Sequence, residues 1–179
     1  MSLLLATLIP GLLLIALGVP LLLNSAGYAA MLKAMPRSTA AGNVFFTVGA
    51  AWFLYNIAHL GAADLIIPKS YMLAAFALIS VLSLIYMREF LAVRGLAALV
   101  LVGAMPLLDA GFMNFEHGQI VLYKIAVYLA IIAAIWLAAQ PWRLRDFFAW
   151  MFAMSGRTRA VGGLLAAYGV VLAIVAFTY

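Results

Sequence analysis

"QIVLYKIAVYLAIIAAIWLAAQPWRLR", residues 119–145, is an apolar run interrupted by one lysine and closed by a proline, a tryptophan and two arginines. A helix rises about 1.5 Å per residue, so about 20 largely apolar residues cross a hydrocarbon core about 30 Å thick. Residues 119–139 have that length. Their apolar residues run continuously instead of alternating, which predicts a helix and not a barrel strand. Five further stretches pass the same test: 3–23, 43–63, 70–87, 95–113 and 161–178. The predicted fold class is an all-α integral membrane protein, with six transmembrane helices arranged as three hairpins in a single membrane domain over residues 1–179. Pro10, Pro20 and Pro106 fall inside or at the edges of these spans, where neighbouring helices can satisfy the freed carbonyls.

Composition points the same way. The chain is 69% apolar and 8% charged, with a mean hydropathy of +1.21, whereas a soluble domain is about 45–50% apolar and about 25% charged. Cysteine is absent, which excludes disulfides, thiolate catalysis, iron–sulfur clusters and cysteine metal ligation. His59 and His117 are the only histidines, too few for imidazole-held metal or haem, so no metal and no cofactor is expected. The net charge is +5, but the basic residues sit singly or in pairs between apolar runs. They build no contiguous surface for nucleic acid. The first run is longer than a signal-peptide core of about 7–15 residues, and no Lys or Arg precedes it. It is expected to be a retained span.

The basic residues set an orientation. Lys33 and Arg37 lie between the first two spans, Arg88 and Arg94 between the third and fourth, and Arg143, Arg145, Arg157 and Arg159 between the last two. Eight of the ten basic residues therefore share one side. The positive-inside rule makes that side cytoplasmic and both termini non-cytoplasmic, as expected in a cell inner membrane. Asp64, Asp109 and Glu116 then fall on the outer side.

A repeat relates the first and last hairpins. "AMPRSTAAGNVFFTVGAAW" (34–52) aligns with "AMSGRTRAVGGLLAAYGVVL" (153–172) at an offset that sets Arg37, Ala40, Gly42 and Gly49 on Arg157, Ala160, Gly162 and Gly169. Hairpin 3–63 would correspond to hairpin 119–178 as a parallel repeat. Gly162, Ala166, Gly169 and Ala173 also form a small-residue stripe that permits close helix approach, within the chain or to a partner.

The last cytoplasmic linker, "QPWRLRDFFAWMFAMSGRTR" (140–159), carries Leu144, Phe147, Phe148, Met151 and Phe152 at helical spacing. An amphipathic interfacial helix is predicted, with Trp142 and Trp150 at headgroup depth and Arg143, Arg145, Arg157 and Arg159 available to anionic lipid or a partner helix. Its plainer role is to anchor the hairpin.

One candidate site remains. An ionisable group inside a span is costly and marks function or a paired contact. Asp109 and Lys124 flank the turn "NFEHG" at similar depth, which predicts an ion pair across the hairpin. Asn56, His59 and Asp64 near the outer end of the second span, with Glu116 and His117 in the turn and the Tyr55 and Tyr123 hydroxyls, would join that pair in one outward-facing ligand or ion site. The bland expectation is an ion pair with a few snorkelling polar residues. No HExxH, GxSxG or phosphate-binding glycine loop is present. The expected function is a non-catalytic subunit or scaffold of a membrane assembly, surrounded by lipid and joined to a protein partner or further copies of itself. A small transporter or channel using the outer cluster is the alternative, and a membrane enzyme the third.

Overall fold

The computed structural model describes residues 1–61, 66–114 and 116–179. Among them every regular element is helical: α1 (Leu3–Leu22), α2 (Ala26–Ala34), a 3-10 turn (Met35–Arg37), α3 (Thr39–Ala58), α4 (Lys69–Tyr86), α5 (Leu91–Ala110), α6 (Ile120–Ala139), α7 (Trp142–Met151) and α8 (Ser155–Ala176). Six of these, α1, α3, α4, α5, α6 and α8, are long and apolar enough to cross a membrane.

Local chemistry places the ends. Ser2 caps α1. At its other end Asn24 takes a left-handed φ of 53°, while the Asn24 and Ser25 amides donate back to the carbonyls of Leu21 and Pro20. That is a Schellman closure on a residue that tolerates the left-handed region. Ser38 caps α3 by accepting from the Ala41 amide at 3.2 Å. This cap starts α3 four residues ahead of the apolar window at 43, and the helix ends at Ala58 instead of 63. Hydropathy alone had centred that span too far along the chain.

The chain divides into two compact units. The first comprises Met1–Ala34, Gly103–Ala133 and Arg145–Tyr179. In it α1 and α8 run antiparallel, joined through small residues on both. A Cβ added at Gly11 would stand 3.0 Å from the Gly169 carbonyl oxygen, and one at Gly18 would stand 2.6 Å from the Ala166 nitrogen. The backbones thus meet without side chains between them. Helices in lipid gain little from apolar burial against one another, so such fit is what holds them. The stripe of Gly162, Ala166 and Gly169 is taken up by α1 of the same chain. Ala6, Ala104, Ile120, Tyr123, Val127 and Leu172 form the buried core of this unit, with Tyr168 and Tyr179 packed against it.

The second unit comprises Met35–Val102 and Ala134–Leu144. Here α3 and α5 run parallel. A Cβ at Gly42 would lie 3.1 Å from Ala92, one at Gly95 would lie 2.5 Å from the Phe46 nitrogen, and one at Gly49 would be in ordinary contact with Ala98 and Leu99. Val93 is fully buried. Phe76 of α4 packs edge-on against Phe53 of α3, with centroids 5.2 Å apart, yet no residue of α4 is buried. Gly42, Gly49, Gly162 and Gly169 all lie at helix crossings. The neighbouring helix is parallel at Gly42 and Gly49 and antiparallel at Gly162 and Gly169.

Candidate functional site

The expected outer cluster falls in both units, and each part is engaged within its own. In the first unit Lys124 sits in the second turn of α6, half-buried. Its ammonium donates to the carbonyl oxygen of Gly111 at 2.9 Å. Gly111 follows the last residue of α5, where carbonyls lack intrahelical partners and the helix dipole attracts a cation. The Asp109–Lys124 ion pair expected from the sequence does not form: among the described residues Arg145 and Asp146 make the one ion pair within 4 Å. Asp109 is exposed. A fixed backbone acceptor at the helix end competes successfully with a solvated carboxylate two residues earlier.

Gly111 is buried, and a side chain there would strike the Tyr123 hydroxyl and come within 2.8 Å of Lys124 Cε. Tyr123 is itself fully buried. Its hydroxyl, and the side-chain oxygen of Asn114 in the same α5–α6 connection, have no hydrogen-bond partner among the described residues. Glu116 is exposed, and half-buried His117 meets Tyr179 edge-on at 5.4 Å. α8 and the residues that follow it are tied down in the same unit: Tyr168 donates to the Leu122 carbonyl at 2.9 Å, Gln119 to the Thr178 hydroxyl at 3.2 Å, and Thr7 to the Tyr179 hydroxyl at 3.1 Å.

In the second unit Asn56 and His59 close α3. His59 Nδ1 lies 2.8 Å from the Tyr55 carbonyl oxygen, the His59 amide donates to the Tyr55 and Asn56 carbonyls, and the Tyr55 ring covers the imidazole at 4.1 Å. Lys69 completes the cap by donating to the Ala58 carbonyl at 3.0 Å. Asp64 lies outside the described residues. Among the described residues no three His, Asp or Glu side chains gather as a metal-ligand group.

The basic linker repeats the same device. Arg157 reaches the Trp150 carbonyl at 3.3 Å and stacks over the Trp150 ring at 5.0 Å, while the Thr158 hydroxyl donates to the Met151 carbonyl at 3.0 Å. Together they close α7. Phe148 and Met151 are its buried residues, but Phe147 is exposed and lies near Trp150 instead of joining the buried face. Trp142 is exposed, and Arg143 stacks over Trp136 at 5.8 Å. Arg159 is exposed.

A second polar feature was not anticipated. Thr39, Asn43 and Thr47 recur every four residues along α3 and line a cleft of about 570 Å3 with Leu84 and Ile85 of α4, Arg88 and Leu91. The spacing is legible in the sequence. It was hidden because the apolar window began at 43, leaving Thr39 in the loop.

Six apolar helices define an all-helical integral membrane protein. Compared with protein-family models, curated proteins and solved structures, the chain matches none of them.

Proposed function

We propose that this chain is a non-catalytic subunit or scaffold of a membrane assembly, and that α4 is the span that meets its partner. The observation carrying this is that α4 contributes no fully buried residue, whereas each of the other five candidate spans has residues that are fully buried. Its exposed face includes Tyr71, Leu78, Leu82 and Tyr86. Because association in lipid depends on shape fit, a span that meets its own chain only along a half-buried face keeps its outward face available for packing. The small-residue stripe of α8, already filled by α1, is not that surface.

The assembly sits in a cell inner membrane with Lys33, Arg37, Arg88, Arg94 and the four arginines of 143–159 on the cytoplasmic side and both termini outside. In that orientation α7 lies in the cytoplasmic interface, its exposed Trp142 and Trp150 at headgroup level and its arginines near anionic lipid. Photo-crosslinking groups placed at Leu78 and Leu82 in native membranes test the reading. A discrete protein adduct at these positions, absent at Leu129 and Ile132 of α6, is the expected result. Lipid adducts alone at all four positions would contradict it.

A second reading is a small transporter or channel acting at the α5–α6 connection. It is favoured by the Tyr123 hydroxyl beside the Gly111–Lys124 contact and the Asn114 oxygen in the same connection, both without a hydrogen-bond partner among the described residues. Flux into proteoliposomes, compared between wild type and Lys124→Met, tests it; absence of flux in both removes this reading.

A further inference from the structure

We infer that the cleft between α3 and α4 binds the phosphate of a phospholipid, with Arg88 as the phosphate contact and Thr39, Asn43 and Thr47 as partners of the ester and glycerol oxygens. The inference is independent of the subunit reading. It begins from an energetic problem on α3. Thr39 to Thr47 spans eight residues, about 12 Å along the helix. The interfacial layer on each side of the hydrocarbon is only about 5–8 Å thick. The inner part of the stripe therefore faces acyl chains, where an unmet polar group is costly.

Hydroxyls on membrane helices usually escape that cost by donating to the carbonyl four residues back. Ser80 does so to Phe76 at 2.7 Å, and Thr158 reaches the Met154 carbonyl at 3.4 Å. Neither Thr39, Asn43 nor Thr47 makes a side-chain hydrogen bond among the described residues. Arg88, just past the Met87 that ends α4, likewise has no carboxylate, carbonyl or aromatic partner among them. Arg37, by contrast, is directed to the Phe90 ring at 5.9 Å. Three polar side chains and one cation, none with a hydrogen-bond partner among the described residues, thus line a single opening.

The chemistry of the lining selects the ligand. No lining residue is acidic, so the cleft suits an anion. A guanidinium in the lining matches phosphate oxygens. Leu84, Ile85 and Leu91 provide an apolar wall for the first segment of an acyl chain. A volume of about 570 Å3 lies within the usual range of ligand sites, about 300–1,000 Å3, and holds a headgroup with its glycerol, not a whole lipid.

Native mass spectrometry of the purified full chain in detergent tests this, with phosphatidylglycerol, diacylglycerol and inorganic phosphate as probes. Wild type should retain phosphatidylglycerol and not diacylglycerol. Retention should fall about tenfold in Arg88→Gln, as for loss of a charge-assisted contact. It should also fall in the double variant Asn43→Leu with Thr47→Val, and stay at the wild-type level in Arg145→Gln on α7. Displacement of the lipid by inorganic phosphate, lost again in Arg88→Gln, would assign the same site to a soluble phosphate. Equal retention by wild type and both cleft variants, equal retention of diacylglycerol, or no retention by wild type would overturn the inference. The two cleft variants lie on different elements at exposed positions, so misfolding of one leaves the other decisive.

Discussion

Lys124 of α6 donates to the carbonyl oxygen of Gly111, one residue beyond α5, at 2.9 Å. The contact joins two helices at their shared connection by a cation and a helix-end carbonyl. Lys69 makes the same kind of contact with Ala58 at the end of α3, and Arg157 makes it with Trp150 at the end of α7. At a helix end the terminal carbonyls lack intrahelical donors, and a cation held at the edge of the apolar layer needs an acceptor. Each solves the other's problem without a second formal charge.

This arrangement distinguishes Lys124 from Asp109. Lys124→Met should lower stability by about 1 to 3 kcal/mol, because the Gly111 carbonyl loses its partner. Asp109→Asn should leave stability unchanged, since the carboxylate is exposed and outside ion-pair range. Unfolding midpoints of the two variants in detergent check this. Equal losses in both would restore the ion pair.

Gly111 and Tyr123 should be coupled. Gly111→Ala places a methyl group against the Tyr123 hydroxyl and should destabilise by about 1 to 3 kcal/mol. Tyr123→Phe removes a buried hydroxyl that has no partner among the described residues, so alone it should be neutral or mildly stabilising. In the double variant the cost of Gly111→Ala should shrink. A double-mutant cycle in the same unfolding assay measures the coupling, and strict additivity would refute it.

The α1–α8 crossing supplies an internal control. At Gly18 an added Cβ meets backbone atoms of Gly162 and Ala166, at 2.7 and 2.6 Å. At Gly163 it would lie 3.6 Å from the end of the Leu22 side chain. Gly18→Ala should therefore cost about 1 to 3 kcal/mol, while Gly163→Ala should be close to silent. Thermal midpoints of the purified variants decide, and equal effects would mean that the backbones are not in close contact.

The six apolar helices were legible because membrane length and continuous hydropathy are coarse, strong signals. The start of α3 was not, since the Ser38 cap outweighs local hydropathy there. The partner of Lys124 was misread for a different reason: side-chain charges can be counted in a sequence, but helix-end carbonyls acquire their positions only when the helix ends are placed. The cleft polar stripe was present as Thr39, Asn43 and Thr47, yet it becomes a site only when the end of α4 brings Arg88 beside it. The glycine stripe of α8 was visible too, but whether α1 or another chain would fill it depended on tertiary packing.

The central claim is that this chain works within a membrane assembly. Extraction of the tagged full-length protein from native membranes in mild detergent, followed by mass measurement of the intact particle, tests it directly. The account predicts a particle containing at least one further polypeptide, either a second copy or a different protein. A particle with the mass of one chain plus lipid and detergent would contradict it.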